Sequence, residues 1–146
     1  PAPWGPQAGA IAIVAEASNT GLRAPGVFGN ILIEDNRMSD INGLSIAVSS
    51  ARGVRIAGNR ITGTHRGEPD VTGDQYRIDQ TAAIWITNCD DVTLEGNTVE
   101  SPGPFLKRLL VVAGGTTGIV GAENGLRPRP EEAEPADNPG PEARPR

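Results

Sequence analysis

The chain has 146 residues, one domain's worth, with 37% apolar residues, 3% aromatics, 19 glycines, 13 prolines and a formal net charge of −5. So few aromatics leave the core to Ile, Val, Leu and Ala, which is strand chemistry, and the dense Gly and Pro punctuation calls for many turns. An acidic chain without a basic stripe excludes a nucleic-acid partner, the lack of an 18-residue apolar run speaks against membrane insertion, and the single cysteine, Cys89, excludes an internal disulfide or a cysteine metal site.

From the start, Pro1 to Gly9 carries Trp4 and reads as a weak cover for one end of whatever follows. A first strand is predicted over Ile11-Ala12-Ile13-Val14, and Ile31 to Met38 then gives an aliphatic alternation with Asn36 at its sixth position. The same order returns with a strand at Leu44 to Val48 and the motif Val54 to Ile61 with Asn59. It returns again at Ile84 to Thr87 with Val92 to Val99 and Asn97, and at Leu110 to Ala113 with Ile119 to Leu126 and Asn124. Phe105 to Leu110 is too short for a stable helix and reads as loop becoming strand. The last stretch, 127–146, holds six prolines, five acids, four arginines and no aliphatic residue larger than alanine; it is predicted as a disordered tail or linker.

The four asparagines are 23, 38 and 27 residues apart, and self-similarity at such spacing indicates a solenoid. Each rung is a first strand, a turn, a second strand, a tight Asn turn and a short third strand, so each coil is triangular. Alternation sends Ile46, Ile56 and Ile61 inward and Ser45, Arg55 and Arg60 outward, with coils stacked about 4.8 Å apart. The Asn is expected to adopt left-handed backbone at the corner and to hydrogen-bond its stacked neighbours as a ladder.

The pattern Val-x-Ile-x-x-Asn-x-Ile, preceded by Gly-Leu-Ser-Ile-Ala-Val or Ala-Ile-Trp-Ile-Thr-Asn, resembles the right-handed parallel β-helix repeats of the pectate-lyase-like superfamily. The resemblance covers about residues 8 to 126. It implies an all-β, right-handed parallel β-helix of about four coils over residues 1–126, a stack about 20 Å tall that fits the C-terminal part of a longer solenoid. It implies no single activity, because that superfamily spans lyases, hydrolases, epimerases, tailspikes and non-catalytic surface proteins.

In the enzymes resembled, long loops at one corner wall a groove floored by the outward face of the first strands. Here the insertion 63–81 occupies that corner with His65, Asp70, Asp74, Tyr76, Arg77 and Asp79. Trp85 alternates outward beside Ser45 and Ala47 of the preceding coil and reads either as a sugar-stacking platform or as an apolar residue that the insertion covers. Tyr76, Arg77 and His65 are its candidate companions in substrate binding, with a solvated loop residue as the plainer reading of His65.

Glycoside hydrolysis needs two carboxylates about 5 to 10 Å apart. None of the outward first-strand residues is acidic, so the candidate catalytic acids come from turns: Asp90 with Asp91, and Asp74 from the insertion. Asn88-Cys89-Asp90-Asp91 is similar to the paired-aspartate segment of polygalacturonases, but the companion Gly-His-Gly and Arg-Ile-Lys segments are absent, and an Asx-rich turn explains it more simply. The insertion's aspartates are donors of the kind Ca²⁺ takes, in a spacing that matches no known loop; no metal or other cofactor is predicted. Glu34, Arg55 and Glu95 are expected to form a charge column on a solvated face.

The functional expectation is the C-terminal portion of a secreted, extracellular or cell-surface protein that acts on polysaccharides or glycans, glycoside hydrolase ahead of lyase. The alternative is a non-catalytic scaffold, an adhesive or tailspike-like module.

Overall fold

The computed structural model describes residues 9–18, 21–69, 78–118, 120–122 and 124–127. The first coil holds β1 (Ile11–Ile13), a small hairpin of β2 (Glu16–Ser18) and β3 (Gly21–Leu22), then β4 (Phe28–Glu34) and β5 (Arg37–Ser39). The second coil is β6 (Ile46–Ser49), β7 (Ala51–Ala57) and β8 (Arg60–Thr62), and the third is β9 (Ala82–Thr87), β10 (Asp90–Glu95) and β11 (Thr98–Glu100). The fourth is β12 (Arg108–Val112), β13 (Val120–Ala122) and β14 (Gly125–Arg127). The stretch from Phe105 therefore enters a strand, as its length required.

Equivalent strands of successive coils pair into three parallel sheets. The first is β1-β6-β9-β12, the second β4-β7-β10-β13 and the third β5-β8-β11-β14. Register holds from coil to coil, so identical positions stack. Ile11, Ile46, Ile84 and Leu110 form one column, and Met38, Ile61, Val99 and Leu126 another. With Ile33, Val48, Ile56, Ile86, Val92 and Leu94, the residues Ile11, Ile46, Ile84, Leu110, Met38, Ile61 and Val99 fill a single aliphatic core between the sheets. Each fully buried aliphatic side chain there contributes about 1.5–3 kcal/mol.

The asparagine ladder is present. Nδ2 of Asn36 donates to Oδ1 of Asn59 at 2.9 Å, Asn59 to Asn97 at 2.9 Å, and Asn97 to Asn124 at 2.8 Å. The backbone N–H of Asn36, Asn59 and Asn97 donates to the same oxygens. The second Nδ2 hydrogens of Asn59 and Asn97 reach the carbonyls of Ile33 and Ile56, which turns two buried amides into fully committed groups.

The left-handed residue is not the asparagine, as the sequence suggested, but the residue before it: Asp35, Gly58 and Gly96. Left-handed backbone in fact recurs every five residues, at Asn30, Asp35 and Asp40 in the first coil, Gly53, Gly58 and Gly63 in the second, and Asp91, Gly96 and Ser101 in the third, with φ from 48° to 69°. Eight of these nine are Gly, Asp or Asn, which tolerate this conformation, and Ser101 is the exception. At Gly58 the φ of 62° would strain any other residue, and its Cβ would also have to displace the exposed Asp35 carboxylate. The asparagine is thereby freed to point inward and carry the ladder.

Candidate functional site

The outward face of the first sheet, where the resemblance puts chemistry, is covered. Ser45, Ala47 and Trp85 project from it with 0% exposure. Trp85 sits in a second apolar cluster with Leu44, Ala47 and Ala82, against Val14, Leu22, Ile78 and Val111. Of the two readings of Trp85, the sugar-stacking platform is therefore corrected and the covered one holds: the ring is sealed from solvent. Two segments supply the cover. The β2–β3 hairpin, closed by Arg23 N–H donating to the Ala15 carbonyl at 2.9 Å, brings Leu22, and the end of the insertion brings Ile78. The hairpin is tied down because Ser50 Oγ donates to the Arg23 carbonyl at 2.6 Å and Asn88 Nδ2 lies 3.5 Å from it.

Two polar atoms under this cover, Ser45 Oγ and Trp85 Nε1, are buried and have no hydrogen-bond partner. Burying such a group unpaired costs about 1–3 kcal/mol. They are the unsatisfied points of an otherwise apolar cluster.

His65 is likewise not the solvated loop residue the sequence suggested, nor available to a surface ligand, being fully buried with φ 56°. Its Nε2 lies 2.8 Å from the carbonyl of Gln80 and, since a carbonyl only accepts, carries the proton. Its Nδ1 lies 2.8 Å from Thr64 Oγ1, which is also 2.6 Å from the Ile41 carbonyl. Burial pushes the imidazole below its usual range, against the opposing pull of the Gln80 bond and the Asp79 charge. The ring thus fastens residue 65 to residue 80 and closes the neck of the insertion. The neighbouring coil packs flush on it: a Cβ on Gly103 would meet the His65 carbonyl oxygen at 2.0 Å.

Of the insertion's aspartates, Asp79 is described. Its Oδ1 accepts from Thr81 N–H at 2.9 Å and Thr81 Oγ1 at 2.5 Å, and its Oδ2 from Arg108 Nη1 at 2.8 Å. Burial raises this carboxyl, but the Thr81 bonds and Arg108 outweigh it and leave it below the usual range. Asp74, Tyr76, Arg77 and Asp70 lie outside the described residues. Arg66 pairs with Asp40 at 3.1 Å.

Asp90 and Asp91 are adjacent but share no site. Asp90 bridges coils, accepting from Thr117 Oγ1 at 2.5 Å and from Arg52 Nη2 at 3.3 Å, and these partners, Thr117 first, hold it below the usual carboxylate range. A carboxylate so held is ionised and engaged, whereas a general acid needs a raised value. Asp91 is an exposed left-handed residue of the five-residue pattern. Cys89, buried between β9 and β10, donates its Sγ–H toward the Thr87 carbonyl at 3.2 Å and packs in the core. The charge column is as expected, with Arg55 holding Glu34 on one coil and Glu95 on the other.

The hairpin cover escaped sequence reasoning. Its one signal was Leu22, a lone aliphatic in a stretch, 15–30, otherwise written in small and polar residues apart from Val27 and Phe28. Among the described residues, no three His, Cys, Asp or Glu side chains gather in a way that would hold a metal ion.

Residues 12–124 match the family described as "Right handed beta helix region". No curated protein and no solved structure matches the chain.

Proposed function

The chain belongs to the right-handed β-helix family, and from that premise we propose that this stretch serves as a non-catalytic scaffold and binding module at the cell surface or outside the cell. The observation that supports it is the engagement of the groups chemistry would need. Trp85 is sealed, both nitrogens of His65 are bonded, and Asp79 and Asp90 are tied between Thr and Arg partners. Catalytic carboxylates work in pairs with separated pKa values, and Asp79 and Asp90 are instead both shifted downward. The test is turnover of a polysaccharide panel by the wild-type chain and by Asp90→Asn and Asp74→Asn. Equal, blank-level rates throughout are expected. A measurable wild-type rate that either variant abolishes, with the fold intact by circular dichroism, overturns the reading.

A second reading, a glycan-processing enzyme with hydrolysis ahead of elimination, draws on Ser45 Oγ and Trp85 Nε1. Two unpaired polar atoms on the first-sheet face suit a floor that meets saccharide hydroxyls once uncovered. Acrylamide quenching of Trp85 fluorescence in a Trp4→Phe background distinguishes the two. Quenching that rises on adding oligosaccharide favours the enzyme, and unchanged quenching favours the scaffold.

A further inference from the structure

On the opposite flank, the outward face of the third sheet carries a groove of about 320 Å³ lined by Arg37, Met38, Ser39, Arg60 and Thr62. Its size is at the lower end of small-ligand sites. The lining is one tripeptide written twice, Arg37-Met38-Ser39 on β5 and Arg60-Ile61-Thr62 on β8, in register so that Arg37 stands beside Arg60 and Ser39 beside Thr62. The third coil breaks the pattern with Thr98-Val99-Glu100.

Two like charges side by side on a sheet destabilise each other unless something of opposite sign lies between. Arg60 is already neutralised from its far side, where Nε and Nη2 meet Glu100 Oε2 at 2.8 and 2.5 Å. Arg37 is exposed and makes no ion pair with any described residue. The groove therefore holds one uncommitted guanidinium with two hydroxyls beside it, while Met38 between them packs inward on the core.

We propose that this groove binds an oxyanion-bearing unit of an acidic polysaccharide. The planar fork of Arg37 matches a carboxylate or sulfate in two parallel hydrogen bonds. Ser39 and Thr62 lie two residues along the same face, where they meet neighbouring sugar hydroxyls. The site lies on a different sheet from the covered Trp85 face and needs no turnover, so it stands whichever functional reading holds. A chain of net charge −5 with one free arginine here suits a single oxyanion and not the continuous phosphates of a nucleic acid.

Binding at low salt to immobilised polygalacturonate, dextran sulfate and neutral dextran tests it, with Arg37→Ala against Arg52→Ala as a control that removes the same charge from the second sheet. Wild type is expected to bind at least one acidic polymer and to ignore neutral dextran, with Arg37→Ala weakening binding tenfold or more and Arg52→Ala less than twofold. Capture by polygalacturonate identifies a carboxylate, and capture by dextran sulfate alone a sulfate ester. Three results overturn the proposal: no binding to either acidic polymer, equal loss in both variants, or an Arg37→Ala chain that binds as wild type does. Both arginines are exposed, so circular dichroism should show both variants folded.

Discussion

Asn59 illustrates how much one residue holds. It donates to Asn97 at 2.9 Å and to the Ile33 carbonyl at 2.8 Å, and accepts from both N–H groups of Asn36. Asn59→Ala removes the side-chain partner of the buried Ile33 carbonyl and of both Asn36 N–H groups and leaves Asn97 Oδ1 with the Asn59 backbone N–H alone, with an expected loss of about 2–4 kcal/mol in urea unfolding. Asn36→Ala, at the edge of the ladder, should lose less than half as much. The asparagines were legible because their side chains recur in register, whereas the left-handed position one residue earlier is spread over Asp and Gly and hides in the composition. His65 was not legible at all. Its burial depends on the path that brings the Gln80 carbonyl and Gly103 against it, and no local pattern carries that information. Because the folded chain depresses this imidazole, the unfolded chain takes up the proton first as pH falls. The stability it contributes is present above pH 6.5 and declines from there down to the lowered folded value. It is the only histidine, so His65→Gln should flatten the pH dependence of the unfolding midpoint between about pH 5 and 7.

At the scale of the element, the β2–β3 hairpin decides the character of the first sheet. Alternation correctly told which way Trp85 points and could not tell that a hairpin some 65 residues earlier in the chain lies across it, since Arg23 meets Asn88 at that separation. Strand faces are local information and coverage is not. Trp85→Ala empties a sealed cluster, and a loss of about 3–5 kcal/mol is expected by thermal or urea unfolding. Trp85→Phe keeps one aromatic ring, leaves a smaller cavity and removes the unpaired Nε1, so it should cost less than half as much. A Phe variant as damaging as Ala would mean that the indole N–H has a partner.

At the scale of the whole molecule, stability is that of a short stack in which each coil leans only on its neighbours. The second and third coils are paired on both sides in all three sheets, while among the described residues β1, β4 and β5 at one end and β12, β13 and β14 at the other pair on one side. Amide hydrogen exchange should therefore be slowest in β7, β8, β10 and β11 and fastest in the six strands paired on one side, and uniform protection would show instead that the stack opens only as one unit. The triangular coil and its register were readable from repeat spacing because stacking forces equivalent residues into equivalent places.

The ladder has a direction, since Asn36, Asn59 and Asn97 each give a side-chain hydrogen to the asparagine of the next coil and none gives one to the asparagine before. Each coil thus presents the same plug on one side and the same socket on the other. A gene that duplicated or dropped a whole turn would leave the joints intact: joining Asn36 directly to Arg60 sets Asn36 opposite Asn97 with the ladder unbroken. Inheritance can lengthen or shorten such a molecule by the turn, while the loops between, from 23 to 38 residues of spacing, are free to diversify.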